Sequence, residues 1–363
     1  MKRTPSSFGA RRIDGRFGMT RFKAGDRVVV RPVSEILAML DDRGRLHGLP
    51  FMPEMLGYVG GAFRVARTVV KVCNTIDASG TRTMNDAVYL DDLRCDGCAH
   101  GGCQADCRFY WKEQWLEPDE GNVRRPTDPI EVDKARKWLE TRTRNGDRYV
   151  CQATEARAAT IGPVSIASPD QYVREIREGN IGWRELLRVA GRALACRFGP
   201  KFRLMRVLPQ RLVPRWTPGE VSGRHEPGDR LDLQPGEWVE VRSREEIART
   251  LGMTGKNKGL AFSYPEMLPL VGKRFRVRGR VERIIDEATG HMIEMKHDCV
   301  TLDGTCCTGE YAAGRWFCWR GIYPYWREAW LKRIPTGQGD TSHQARDAGL
   351  EIDEIRRVPV LHH

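Results

Sequence analysis

Residues 22–118 and 233–334 spell out one pattern twice, and a chain that repeats itself over about ninety residues is expected to fold the same way twice. The first copy opens Gly25-Asp26-Arg27-Val28-Val29-Val30-Arg31, and the second opens Gly236-Glu237-Trp238-Val239-Glu240-Val241-Arg242. Pro53-Glu54-Met55-Leu56 matches Pro265-Glu266-Met267-Leu268, and Phe63-Arg64-Val65 matches Phe275-Arg276-Val277. Cys95 matches Cys307, and Cys103 matches Cys318 once three residues are inserted. Tyr110-Trp111-Lys112-Glu113, Trp115 and Leu116 close the first copy; Tyr325-Trp326-Arg327-Glu328, Trp330 and Leu331 close the second.

Each copy reads mostly as β. Gly-Asp/Glu followed by alternating valines is a first strand, and Phe63 to Val72 and Phe275 to Ile285 continue with period two. Ser34 to Leu40 and Ser243 to Leu251 read as short serine-capped helices, and Pro53 to Leu56 as one helical turn. The Tyr-Trp-Lys/Arg-Glu-x-Trp-Leu endings predict a helix that stacks both tryptophans on one face, as core packing against a barrel. A small barrel opened by Gly-Asp-x-Val-x-Val and closed by a short helix is similar to SH3-like barrels. Between the copies, residues 119–232 predict helices from Asp128 to Thr143, from Ser168 to Glu178 and from Trp183 to Phe198. The expected class is α+β: two duplicated SH3-like β-barrel modules with short helices, 22–118 and 233–334, joined by a basic helical segment, 119–232. A basic arm (1–21) precedes them and a loose Gly/Asp/Ser/Gln-rich tail (335–363) follows.

Chemistry concentrates in Cys95-Asp96-Gly97-Cys98-Ala99-His100-Gly101-Gly102-Cys103-Gln104-Ala105-Asp106-Cys107, four thiols and an imidazole in one short loop. Thiolates are soft ligands for zinc or an iron–sulfur cluster, and the glycines let the backbone turn around an ion. The favoured ligands are Cys73, Cys95, Cys103 and Cys107, with Cys98 and His100 as alternates. Cys95 and Cys103 recur across the repeat, whereas Glu310 stands at the position of Cys98. Zinc is the expected metal and an iron–sulfur cluster the rival. Cys299, Cys306, Cys307 and Cys318 read as the remains of a degenerate second copy, and Cys151 and Cys196 as isolated internal thiols.

The arrangement also resembles a bacterial family that pairs a cysteine-rich copy of this module, with Cys-Asp-Gly and His-Gly-Gly-Cys-Gln, with a cysteine-poor second copy. The resemblance spans 22–118, Tyr149-Val150-Cys151-Gln152-Ala153-Thr154-Glu155 and 233–334. It implies the two-module fold and brings no activity with it.

The formal net charge is +12. Residues 25–118 carry eleven Lys/Arg against thirteen Asp/Glu, while 119–232 carry twenty-two against sixteen, so the cysteine loop sits in an acidic part and the basic character in the middle. From Leu186 to Gly219 there are eight basic residues and no acid: Arg188, Arg192, Arg197, Lys201, Arg203, Arg206, Arg211 and Arg215. With Arg274, Arg276, Arg278 and Arg280 on one face of a strand, they form the expected surface for DNA or RNA; the competing reading is solvated charge. The eleven cysteines, without an apolar leader or a membrane-length apolar run, suit metal or free thiols in a cytoplasmic setting. No phosphate loop, dinucleotide fingerprint or hydrolase motif is present. The expected function is therefore a metal-stabilised binding protein. The alternatives are a metal- or thiol-dependent enzyme with a cleft between the modules, and a scaffold for partner proteins.

Overall fold

A computed structural model of the chain describes residues 21–76, 80–121, 127–198, 230–262, 264–309 and 315–335, with only the backbone at 192–198, 264 and 265. Val28 and Val30 are fully buried, as alternation requires of a strand with one covered face. Their strand, Arg27–Val30, runs antiparallel between Ala62–Thr68 and Leu116–Pro118. Ala87–Leu90 and then Trp111–Lys112 extend this five-stranded sheet beyond Ala62–Thr68. In the second half Trp238–Val241 lies between Arg274–Arg280 and Leu331–Arg333, with Val300–Leu302 beyond. A single bridge from Val300 to Trp326 stands where the first sheet has its fifth strand.

The registers repeat as well. Val28 faces Phe63 as Val239 faces Phe275, and Val65 faces Leu90 as Val277 faces Leu302. Both long strands bulge just after that last pair. The architecture is mixed α+β with many short strands. Among the described residues both sheets stay open and no barrel closes, contrary to expectation. The two edge strands of the first sheet are joined only by the 3-10 turn Glu113–Trp115 and make no ladder to each other.

That turn also replaces the expected tryptophan helix. Trp111 and Trp115 reach the core from a strand and from the turn, and both are fully buried. Phe51 meets both rings edge-on at 6.3 and 5.1 Å, and Phe262 meets Trp326 and Trp330 the same way at 6.3 and 5.3 Å. The helix Val33–Met39 starts after Pro32, so Ser34 lies inside it. Its counterpart Arg244–Thr250 has the serine cap: Ser243 Oγ accepts from the Glu246 N–H, and the Glu246 carboxylate accepts from the Ser243 N–H.

The middle segment is no mere connector. Its first helix, Pro129–Glu140, is capped by the Asp128 carboxylate. It stops before Thr143 because the chain turns back at once through the pair Arg144–Asn145 and Arg148–Tyr149, around Gly146 at φ +64°. Gln152 packs into the first half, accepting from the Tyr110 N–H and donating to the carbonyls of Tyr110 and Pro50. Helices Asp170–Arg177 and Trp183–Phe198 fall where the sequence places them. Val189 of the latter is buried with Ile181 and Phe317, so the segment touches both halves. Among the described residues no helix is long and apolar enough to cross a membrane.

Candidate metal centre

The loop 95–107 is pinched at its base. Arg94 and Arg108 form an antiparallel bridge, and the Cys95 N–H donates to the Cys107 carbonyl at 2.8 Å. Inside it the chain coils tightly, with the N–H groups of His100 and Gly102 both donating to the Gly97 carbonyl. Gly97 has a left-handed backbone (φ +73°), and a Cβ there would overlap the Cys103 backbone. The 3-10 turn Cys98–His100 then drives the His100 ring inward, leaving it 2% exposed.

Cys95 Sγ lies 3.5 Å from His100 Nε2, and His100 Nδ1 lies 3.0 Å from Glu54 Oε1. The carboxylate contact is close but skewed from good hydrogen-bond geometry, and Glu54 Oε2 is buried without a partner. Glu54 also accepts from the Ala99 N–H at 3.0 Å. Burial pushes the Glu54 carboxyl up, but the neighbouring His100, together with the backbone N–H groups of Glu54 and Ala99, outweighs it, and the net shift is downward. Glu54, Cys95 and His100 bring ligand atoms within 4.8 Å of one another, among the described residues the one such group of three.

Cys95 and His100 also line a small cavity of about 30 Å³, room for about two water-sized molecules. Its lining holds Cys95, His100, Cys103, Cys107 and Cys151, and Ile285 and Glu287 of the second half complete it. Burial, the charge of Glu54 and the neighbouring Cys107 push the Cys95 thiol far up. Cys107 is raised chiefly by burial, then by Glu287, and Cys151 is pushed up to about 11 by burial. A protonated Cys95 thiol beside a carboxylate and an imidazole suits a thiophilic cation, which would replace its proton.

Of the expected ligands, Cys95, Cys103, Cys107 and His100 meet at this cavity. Cys98 faces solvent, its N–H held by Asp96. Cys73 does not line the cavity; it pairs with Cys318 on the other side of the repeat. Glu54 and Cys151 were missed. The acid repeated in Pro-Glu-Met-Leu was a signal for Glu54, and for Cys151 nothing in its local sequence was.

The expected anion surface is only partly in view. Arg188 is exposed on its helix; the side chains of Arg192 and Arg197, and all of Lys201, Arg203, Arg206, Arg211 and Arg215, lie outside the described residues. The four strand arginines do not share one sheet face as expected: the bulge between Val277 and Gly279 sets Arg280 opposite Val300, on the buried face of Val277 and Leu302, away from Arg274 and Arg276. Arg274 pairs with Glu240, Arg278 with Asp106 and Asp303, and Arg280 with Asp232 and Glu328, while Arg276 donates to the Gly236 carbonyl. Three of the four arginines are therefore paired with acids, and together they do not form a free basic groove. No protein-family model matches the sequence, and no curated protein is significantly similar to it.

Proposed function

We propose that the cavity is a metal centre that fastens the cysteine loop of the first half to the middle segment, with zinc as its metal and Cys95, His100, Cys103, Cys107 and Cys151 as its donors. The observation that carries this reading is that four thiols and one imidazole line one small cavity. A tetrahedral zinc ion takes four of the five. Glu54 would then orient His100 through Nδ1 and leave Nε2 to the metal, the usual carboxylate–histidine arrangement. With this many protein donors the coordination sphere fills without water, which suits a structural centre better than a catalytic one.

An iron–sulfur cluster is the second reading, and one observation favours it. Sulfurs around a single zinc stand about 3.8 Å apart, whereas no three of these four come within 4.8 Å of one another. A cluster spreads its thiolates wider. Elemental analysis and an absorption spectrum of anaerobically purified protein test both: colourless with one zinc, or brown with iron and sulfide. Protein that carries neither, and whose melting point ignores a chelator, would sink the proposal.

The two sheets are, in this reading, copies of one SH3-like module, supported by their common strand order, register and bulge. The assembly would bind a polyanion such as DNA or RNA through the run of basic residues between Leu186 and Gly219, which contains no acid. A gel shift that weakens steeply with salt is expected; no shift at low salt removes that part.

A further inference from the structure

Cys73 and Cys318 meet at a second junction between the halves, related to the metal cavity by the internal repeat. At the cavity, the loop cysteine Cys103 accepts a hydrogen bond from the backbone N–H of Ile285 at 3.3 Å. At the second junction, the loop cysteine Cys318 accepts one from the backbone N–H of Cys73 at 2.7 Å. Counted from the matched Phe63-Arg64-Val65 and Phe275-Arg276-Val277, Cys73 occupies the position of Ile285. Gly309 likewise repeats Gly97: φ is +74°, and a Cβ would strike the Cys318 backbone. The same interlock is thus built twice, but only here does a second thiol stand opposite the first.

The surroundings differ in charge. Cys73 lines a small pocket of about 10 Å³, room for about one water-sized molecule, together with Thr75, Arg82, Arg157, Glu287 and Arg320. Cys73 is partly exposed and Cys318 buried. Arg320 is clamped by Glu287 at 2.8 Å and by Thr75 at 2.8 Å, which fixes its guanidinium beside the thiols. A hydrogen bond from the Cys318 thiol, and then Arg320, hold the Cys73 thiol below its ordinary range against the opposing effect of burial. Cys318 moves the opposite way, its proton kept by burial and by the bond to Cys73.

We propose that Cys73 and Cys318 are a redox-active pair that closes to a disulfide between the two halves when hydrogen peroxide reaches Cys73. The Cys73 thiolate attacks one peroxide oxygen; the O–O bond breaks and the far oxygen leaves as hydroxide, which takes up the proton Cys73 released on ionising. Cys318 then attacks the sulfenic sulfur of Cys73. The S–S bond forms, the S–O bond breaks, and the oxygen departs as water with the Cys318 proton. Two thiols lose two electrons and the peroxide gains them. Neither cysteine is a donor to the metal centre, so the proposal stands or falls apart from that reading.

The test treats the full-length protein with a modest excess of hydrogen peroxide, then alkylates it and maps its peptides by mass spectrometry. A Cys73–Cys318 linkage that a dithiol reverses is expected. Recovery of both residues as free alkylated thiols overturns the proposal, as does a linkage of either to another cysteine. In Cys318→Ser the sulfenic acid should persist and be trapped by a dimedone-type reagent at Cys73. The mapping of the unaltered protein decides the matter if that variant fails to fold, and absence of the adduct in a folded variant overturns the mechanism.

Discussion

Glu54 and His100 come from distant parts of the first half, and what joins them is the inward coil of the cysteine loop. If Glu54 orients the ring, Glu54→Ala should weaken metal binding about 10- to 100-fold by competition with a chromogenic chelator, with little change in the far-ultraviolet spectrum. Undiminished affinity would remove Glu54 from the centre. Gly97 carries a steric constraint at the same loop. Gly97→Ala must accept both a left-handed backbone and an overlap with Cys103, and should cost about 1–3 kcal/mol in urea unfolding. Sequence reading could pick out the loop cysteines, because soft ligands clustered with glycines have few other uses. It could not pick out Cys151, whose neighbours in the chain are ordinary and whose significance comes from the cavity it faces.

Among the elements, the tryptophan endings are the instructive case. Two tryptophans four residues apart satisfy a helix face, but a strand followed by a 3-10 turn buries them equally well. The choice falls to the sheet, which needs an edge strand on each side of the turn. Ser34 makes the complementary point: a good capping residue goes unused when the helix starts one residue before it, with Pro32 at the cap position. Gln152 fastens the middle segment to the first sheet with bonds to both backbone groups of Tyr110 and to Pro50. Gln152→Ala leaves buried amide and carbonyl groups unpaired, each worth about 1–3 kcal/mol, and should show as a lower urea midpoint. A midpoint unchanged from the parent would mean that the segment docks by other contacts.

For the whole molecule, a metal at the cavity would couple stability to pH through the buried thiols. Cys95, Cys107 and Cys151 are held protonated in the metal-free fold, while in the unfolded chain they ionise near the ordinary thiol value of 9.0. Above that pH the unfolded state therefore binds fewer protons than the fold, so the stability of metal-free protein should fall as pH rises from about 8 to 10. Metal-loaded protein, its thiols already deprotonated, should lose far less over that window; parallel melting curves for the two forms would discredit the centre. The repeat in the sequence determined that two like sheets form, with equal strand order and register, because matched apolar positions at matched spacing have one good way to be buried. It also determined that sulfur gathers in one loop. Only the tertiary structure decided which thiols meet: it sent Cys73 to Cys318, brought Cys151 to the cavity, and set acids against the strand arginines. Those pairings join residues well separated in the chain, and they depend on how strands, loops and segments pack in three dimensions, which no local pattern of residues encodes.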